Sequence, residues 1–417
     1  MGNDGTPISR PALERLIAVP TDRFADEFWG RKPLLSRADQ LHQDFGDLFS
    51  LEAVDELVAH RAIRTPFVRM ADEGILLDPS RYTGPGGFGA EVGDQLDSGK
   101  VLQEFTGGAT LVLQALHRTW QPLADFTREL VAELAHPAQV NAYVTPASSR
   151  GFDPHYDVHD VFVIQIHGEK HWTIHAPVHE NPLRDQPWTD HREAVARQAE
   201  GTPAIDETFR PGDVLYLPRG WIHSATALGG TSIHLTIGVS ALGRWDIVRQ
   251  LVADSSGDSG LRSSLPLGFD ATDAAALDTL VPQTVDALAD QLRSSARRPD
   301  HVGRRLARTL QDFTPPEPVS PIGTVESIAT LDGTAQLSWR RGLAYRLEEG
   351  QSLEEGQSQI RIVLTTRTIS LPAEATPAVL ALTDGATVSA GNLAGLDPQS
   401  SLVVARRLVR EGILVLR

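Results

Sequence analysis

The stretch His155-Tyr156-Asp157, followed much later by Gly212-Asp213-Val214-Leu215-Tyr216-Leu217-Pro218-Arg219-Gly220-Trp221-Ile222-His223, decides the fold of this chain. Residues two positions apart on a β-strand point to the same face, so His155 and Asp157 are expected to share one face. His223 follows a short apolar run and a turn that contains Pro and Gly, a pattern typical of strand and turn. Together they indicate two neighbouring strands of one β-barrel that direct two imidazoles and a carboxylate to one point.

Two histidines and one carboxylate form the facial triad that holds non-haem Fe(II) and leaves coordination positions open. The chain has no cysteine, so a transition metal must be held by His and carboxylate side chains. We therefore predict His155, Asp157 and His223 as metal ligands. Zinc can occupy the same ligands, but no catalytic glutamate is evident, which favours iron. The alternative is a barrel that has lost its metal and in which these three residues remain as polar residues of the core.

The surroundings of the three residues fit the two sequence elements of cupin barrels. Residues 212–223 match the second element, G-x5-P-x-G-x2-H, whose glycine-containing turn aims the histidine into the barrel. His155-x-Asp157 precedes the apolar run 161–164, as in the first element with Asp in place of its second His. A sugar isomerase or germin-like cupin would offer H-x-H and a Glu. Val161 lies where that Glu would be, so this class is disfavoured.

The rest of the chain shows a change from helical to strand-like patterns and back. At 417 residues we expect two or three domains. Short helices are predicted over 11–60, a loop-rich region over 61–100 and a helix broken near Pro122 over 109–135. Short strands follow over 140–240. We predict further helices over 244–313, a linker over 315–321 and a small α+β module of winged-helix type, whose last helix begins with Asp397 as N-cap and Pro398 as its first residue.

Composition and charge restrict the location and the partners. The apolar fraction is 41%, and no run of apolar residues is long enough to span a membrane. The N-terminus lacks the pattern of a secretory signal, so a cytoplasmic protein is expected. The net charge is −16, which disfavours nucleic acid and suits a basic protein partner. From Pro315 on there are 9 basic and 11 acidic residues, so the C-terminal module is not expected to bind DNA.

Several segments resemble the JmjC-type ribosomal oxygenases, a family of Fe(II)- and 2-oxoglutarate-dependent protein hydroxylases in the cupin superfamily. The match lies over roughly residues 20–240. It is carried by the segments 28–35 (FWGRKPLL), 141–146 (NAYVTP), 151–157 (GFDPHYD), 162–165 (FVIQ), 168–172 (GEKHW), 211–223 (PGDVLYLPRGWIH) and 232–237 (SIHLTI).

The resemblance implies an α+β protein with a double-stranded β-helix (jelly-roll) core. It implies a catalytic domain with N-terminal helices over 1–240, a helical dimerisation region over 241–314 and a winged-helix-like domain over 315–417. Members use Fe(II), 2-oxoglutarate and O2 to hydroxylate an Arg or His side chain of a ribosomal protein. The implied partners are therefore a basic ribosomal protein and a second copy of the chain.

The same resemblance assigns roles to individual residues. His155, Asp157 and His223 would ligate iron, and Lys170 would pair with the distal carboxylate of 2-oxoglutarate. A lysine buried in the barrel wall without an anion would be unfavourable, which supports that role; a surface lysine in a turn is the alternative. Polar residues on strands that face the cavity are further candidates for binding: Asn141, Tyr143, Thr145, Ser232, Thr236, His159 and His234. The alternative for these residues is packing within the barrel without a role in binding.

One departure from the family pattern leaves the substrate open. The family often carries an acidic pair directly after the histidine motif, whereas Val158-His159-Asp160 follow Asp157 here. Three functions therefore remain: hydroxylation of a protein side chain, hydroxylation of a small molecule or biosynthetic peptide, and a non-catalytic cupin-like scaffold. Turnover of 2-oxoglutarate that depends on Fe(II) would separate the first two from the third.

Overall fold

The computed structural model describes residues 10–89, 91–147, 153–270, 272–296, 299–351 and 357–417. Gly151 and Phe152 of the family-like segment lie outside these residues. The chain divides into two units, Met1–Leu242 and Gly243–Arg417. The boundary falls close to the predicted end of the first domain at residue 240.

The first unit contains a large antiparallel sheet and several helices. Its helices are α1 (Pro11–Glu14), α2 (Thr21–Arg23), α3 (Leu51–His60), α4 (Ser98–Thr106), α5 (Leu116–Thr119), α6 (Gln121–Leu134) and α7 (Arg192–Ala199). Its strands are β1 (Leu34–Ser36), β2 (Val68–Asp72), β3 (Ile75–Leu76), β4 (Thr83–Gly84), β5 (Gln95–Leu96), β6 (Thr110–Leu113), β7 (Ala138–Thr145), β8 (Asp160–His175), β9 (Ile205–Phe209), β10 (Val214–Leu217) and β11 (Ile222–Val239).

Two long strands, β8 and β11, organise the sheet. The strand order is β1-β10-β8-β11-β7-β6-β2-β3, and β9 pairs with β8. The first half of β8 pairs with β10 and its second half pairs with β9, while β11 runs antiparallel along both halves. The register between β8 and β11 shifts between Leu228 and Ile233, which separates the two halves. The short strands predicted over 140–240 are thus present, and they pair in antiparallel fashion.

The two faces of the sheet have different surroundings because successive residues alternate between them. Phe162 and Ile164 belong to the large core that also includes residues of α1, α3 and α6. Val161 and Val163, on the opposite face, pack in a smaller cluster with Trp172. The inner face therefore has room for polar side chains, while the helices cover the outer face.

One prediction in this unit was wrong. The helix predicted over 109–135 begins late, because Thr110–Leu113 form β6 and are buried on both faces. A short apolar run that is buried on both sides of a sheet has no alternation of polar and apolar residues that would distinguish a strand from a helix. The region 61–100 was expected to be loop-rich, and within it lies β2, which pairs with β6 and was not predicted.

The second unit contains helices and two small sheets. Its helices are α8 (Arg244–Ser255), α9 (Ala274–Ala296), α10 (Pro299–Phe313), α11 (Pro321–Thr330), α12 (Thr376–Thr383) and α13 (Pro398–Arg410). Its strands are β12 (Gln336–Trp339), β13 (Tyr345–Gln351), β14 (Ser358–Leu364), β15 (Thr368–Pro372), β16 (Val388–Ser389) and β17 (Leu414–Leu416). The predicted N-cap is confirmed, since the Asp397 carboxylate accepts hydrogen bonds from the amides of Gln399 and Ser400.

In the part of the chain that the structure describes, none of the helices is both long and apolar enough to cross a membrane.

Candidate active site

His155 and His223 lie directly opposite each other as an antiparallel backbone pair. The His155 amide donates to the His223 carbonyl at 3.2 Å, and the His223 amide donates to the His155 carbonyl at 2.8 Å. Their ring centroids are 4.4 Å apart. The backbone therefore brings together two residues that are far apart in sequence, as the barrel prediction requires.

The same backbone also fixes which ring nitrogen of each histidine carries the proton. Nδ1 of His155 lies 2.7 Å from the carbonyl oxygen of Asp153, and Nδ1 of His223 lies 3.2 Å from that of Trp221. A carbonyl oxygen can only accept, so each Nδ1 donates and each Nε2 keeps its lone pair. A histidine that ligates a metal is commonly oriented by a hydrogen bond of this kind.

Asp157 is the third candidate metal ligand. Its Oδ2 lies 3.8 Å from Nε2 of His223 and 4.0 Å from Nδ1 of His159. Two atoms that bind one ion at about 2.1 Å each are at most about 4.2 Å apart, so Asp157 and His223 are close enough to share an ion. Within the described ranges, however, no group of three or more His, Asp or Glu side chains has the geometry of a complete metal site.

The ionisation states of these residues suit metal binding. Burial, and then His155, lower the pKa of His223 to about 4, so this imidazole is neutral at pH 7. Burial alone would raise the pKa of Asp157, but the neighbouring His159, His223 and His155 bring it below its usual value. A neutral imidazole and an ionised carboxylate are the forms that bind a cation.

A buried carboxylate, Asp160, anchors the segment that leads to His223. It accepts a hydrogen bond from the Tyr216 hydroxyl at 2.7 Å and one from the Arg219 amide at 3.0 Å. The following residue, Gly220, has φ = +88°, and its amide donates to the Asp157 carbonyl at 3.0 Å. A Cβ at Gly220 would lie 2.6 Å from the carbonyl oxygen of His179, so the turn requires glycine.

We expect the substitution Asp160→Asn to lower the free energy of unfolding by about 2 kcal/mol, because two hydrogen bonds to a buried charge are weakened. Metal affinity should fall by about tenfold, since the turn before His223 loses its anchor. Urea unfolding and a metal titration measure the two effects. Asp55→Asn, at an exposed position on α3, is the matched control. Unchanged metal affinity in a destabilised Asp160→Asn protein would contradict the anchoring role.

The candidate ligands lie at a cavity of about 270 Å³, referred to below as the central cavity. It is lined by Arg69, Thr110, Tyr143, Thr145, His155, Asp157, Val161, Val163, Lys170, Trp172, Trp188, His223, Ser224, Ala225, His234 and Thr236.

Lys170 is buried in the wall of the central cavity and is only 3% exposed. Its Nζ donates to the Thr145 hydroxyl at 3.2 Å and lies 6.0 Å from the Trp172 ring centre. Burial lowers its pKa to about 7. The alternative of a surface lysine in a turn was therefore wrong. An ammonium in this position would be stabilised by an anion bound in the cavity.

The neighbouring wall is aromatic. The rings of Tyr143 and His234 are stacked, with centroids 5.0 Å apart, and Trp172 contacts His234 edge-on at 5.3 Å. Burial, together with Lys170 and His223, brings the pKa of His234 well below its usual value. His234 is therefore neutral at pH 7, and it is suited to hydrogen bonding or packing within the cavity rather than to holding an anion by charge.

The remaining sequence candidates separate into two groups. Tyr143, Thr145, Thr236 and His234 line the central cavity as expected. Asn141, Ser232 and His159 are not among its lining residues. The Asn141 amide oxygen accepts a hydrogen bond from the Ala115 amide at 3.0 Å, and the Ser232 hydroxyl accepts one from the Gln165 side chain at 2.9 Å. Their predicted contact with the co-substrate stays a prediction.

The sequence analysis did not predict several of the cavity residues, among them Trp188, Trp172 and Arg69. Trp188 lies with its ring centre 6.2 Å from that of His155, and Trp172 lies beside His223 and His234. Trp172 stands two positions after Lys170, so strand parity could have identified it. Arg69 lies on β2, in a region that was expected to be loop-rich.

The pH dependence of stability provides a test of the burial of Lys170. Between about pH 7 and pH 10 the unfolded chain binds a proton at Lys170 that the folded chain lacks, so the free energy of unfolding should rise with pH. We expect the wild-type protein to gain stability relative to Lys170→Met from about pH 7 to pH 9, by at most about 1.4 kcal/mol per pH unit. Urea unfolding of both proteins at several pH values measures the difference. Parallel curves would show that Lys170 titrates as if exposed.

The comparisons with known proteins agree with this geometry. The JmjC domain family matches residues 115–246. Ribosomal oxygenase 2 of Bos taurus is 34% identical over 263 residues, which are 60% of this chain and 53% of the relative. Ribosomal oxygenase 1 of Rattus norvegicus is 30% identical over 253 residues, which are 58% of this chain and 40% of the relative. The chain thus spans about half the length of these relatives.

A solved structure shows the same fold. The structure of YcfD, a ribosomal oxygenase from Escherichia coli, in complex with cobalt and 2-oxoglutarate has a TM-score of 0.51 and covers 96% of this chain and 99% of that chain, at 17% identity. The first unit therefore has the JmjC/cupin-type fold, and the predicted barrel is confirmed. Residues 115–246 match the JmjC domain family, and the chain is similar to ribosomal oxygenases.

Proposed function

We propose that this protein is an Fe(II)- and 2-oxoglutarate-dependent oxygenase that hydroxylates an Arg or His side chain of a ribosomal protein. One observation carries the proposal: a single cavity holds the paired His155 and His223, the adjacent Asp157 and the buried Lys170. Three ligands fit an iron that needs open positions. The buried ammonium fits the second carboxylate of the co-substrate.

Each group has a separate task in this proposal. His155, Asp157 and His223 would hold Fe(II), with both imidazoles oriented by their bonds to backbone carbonyls. Lys170 and Thr145 would bind the distal carboxylate of 2-oxoglutarate. The bound iron and 2-oxoglutarate supply the chemistry that inserts an oxygen atom of O2 into a C–H bond, with succinate and CO2 as co-products. The aromatic wall of Tyr143, Trp172 and His234 would keep water away from that site.

Two findings support the co-substrate and the class of substrate. The Escherichia coli relative has been crystallised with cobalt and 2-oxoglutarate, and the Bos taurus and Rattus norvegicus relatives are named ribosomal oxygenases. The net charge of −16 also suits contact with basic ribosomal proteins.

The experiment is a comparison of ribosomal proteins before and after incubation with the purified protein, Fe(II), 2-oxoglutarate and O2. Mass spectrometry should find the mass of one added oxygen on an Arg or His side chain. Turnover of 2-oxoglutarate without any modified ribosomal protein would favour a small molecule or peptide as substrate. Absence of turnover would favour the non-catalytic scaffold.

The second unit has a separate proposed role. We propose that residues 241–314 form a dimerisation region and that residues 315–417 form a winged-helix-like domain for protein contacts. Support for the first part comes from apolar side chains on α8 and α9 that are about half exposed, namely Trp245, Val281 and Val285. Light scattering should give the mass of two chains, and Val281→Asp combined with Val285→Asp should give the mass of one.

A further inference from the structure

The wall of the central cavity contains an arginine on the strand that the sequence patterns missed. Arg69 on β2 lies opposite Val112 on β6, Val112 lies opposite Tyr143 on β7, and Tyr143 lies opposite His234 on β11. Residues directly opposite each other on neighbouring strands share a face. Arg69 therefore lies on the same face of the sheet as Tyr143 and His234, and all three residues line the cavity.

Arg69 interacts with other cavity groups. Burial raises the pKa of Tyr143, and a hydrogen bond from Arg69 opposes that rise. Burial also acts to raise the pKa of Asp157, whereas the nearby histidines and Arg69 lower it. Among the described residues the Nε atom of Arg69 is buried and has no hydrogen-bond partner. The guanidinium is thus a fixed cation beside the candidate metal ligands, with part of its hydrogen-bonding capacity unused.

The formal charges in the cavity leave Arg69 without compensation once the proposed groups are bound. Two positive charges of iron and one of Lys170 balance one negative charge of Asp157 and two of 2-oxoglutarate. Apart from the histidines and Tyr143, the ionisable side chains among the described lining residues are Arg69, Asp157 and Lys170. A second cation entering this cavity would meet a repulsion that water screens poorly.

We propose that Arg69 is a specificity-determining residue that excludes guanidinium and ammonium groups from the central cavity. The side chain that is hydroxylated is then one without charge at neutral pH, an imidazole or a carboxamide. This inference rests on the proposed function and selects histidine over arginine within it. Tyr143, which lines the cavity together with Arg69, supplies a hydroxyl that can bond to such a neutral group.

The test measures binding, so it does not depend on turnover. The protein is immobilised, loaded with Mn(II) and 2-oxoglutarate and kept without O2. Peptide pools of one length, with randomised flanks and a central His, Asn, Gln, Arg or Lys, are applied in about 0.15 M salt to limit long-range attraction. We expect the His, Asn or Gln pools to be retained about tenfold more than the Arg and Lys pools. The negative net charge of the protein attracts the Arg and Lys pools, so it would reduce the expected difference in retention.

Three variants separate the role of Arg69 from a general effect of charge or folding. Arg69→Gln should reduce the preference for neutral centres to about threefold or less, because the repelling charge is gone. Arg69→Lys keeps the charge and should keep the preference. Arg197→Gln changes the net charge equally at an exposed position on α7 and should behave like the wild-type protein.

Equal or stronger retention of the Arg or Lys pools by the wild-type protein would overturn the inference. The same follows if no pool is retained, or if Arg69→Gln and the wild-type protein show the same preference. Failure of the proposed function has a different signature, since the protein would then not convert 2-oxoglutarate with Fe(II) and O2, whatever the retention of the peptides.

Discussion

His223→Ala is expected to reduce 2-oxoglutarate turnover by far more than a hundredfold, because loss of a metal ligand should exceed the 10–100-fold effects of removing its supporting hydrogen bonds. The variant lacks one of two paired imidazoles and leaves Asp157 and His155 as the candidate ligands. Succinate formation with Fe(II) and O2 measures turnover, and a metal titration measures binding.

The control for this prediction is His42→Ala, which removes an exposed histidine from the same unit. Circular dichroism and the midpoint of thermal unfolding establish whether the His223→Ala protein is folded. A folded variant with the turnover of the wild-type protein would remove His223 from the metal site and with it the hydroxylase proposal.

Lys170→Ala is expected to raise the KM for 2-oxoglutarate by roughly 10- to 100-fold, because a charge-assisted hydrogen bond contributes about 1.5–3 kcal/mol. The value of kcat at saturating co-substrate should change less, since Lys170 would hold a carboxylate and not the reacting atoms. Steady-state turnover at varied 2-oxoglutarate measures both constants.

Lys32→Met, at a half-exposed position outside the central cavity, is the matched control for Lys170. If Lys170→Ala leaves KM unchanged, the buried ammonium serves the stability or packing of the wall and another group must bind the distal carboxylate. The free energy of unfolding of the variant at pH 7 would still show whether Lys170 is buried, because the cost of removing the ammonium from water does not depend on a bound ligand.

The candidate metal ligands could be proposed from the sequence because their spacing follows from strand geometry. His155 and Asp157 differ by one strand period, and His223 ends a motif whose glycine the turn requires. The burial of Lys170 was expected from the resemblance to the family.

The hydrogen-bond partners of the candidate residues could not be predicted from the sequence. Asn141 and Ser232 have the parity of cavity residues, but they are not among the lining residues, and each accepts a hydrogen bond from a neighbouring group, the Ala115 amide and the Gln165 side chain. The strand period predicts the face of the sheet on which a side chain lies, but it does not predict the group to which that side chain forms a hydrogen bond. Arg69 could not be found in this way, because β2 becomes a strand through its pairing with β6 and not through a pattern of its own.

The backbone pair of His155 and His223 has a consequence for substitutions at these two positions. The hydrogen bonds that join the two segments run between main-chain groups, so they do not depend on the imidazoles. Replacement of either side chain therefore removes a candidate ligand and keeps the bonds that join the two segments.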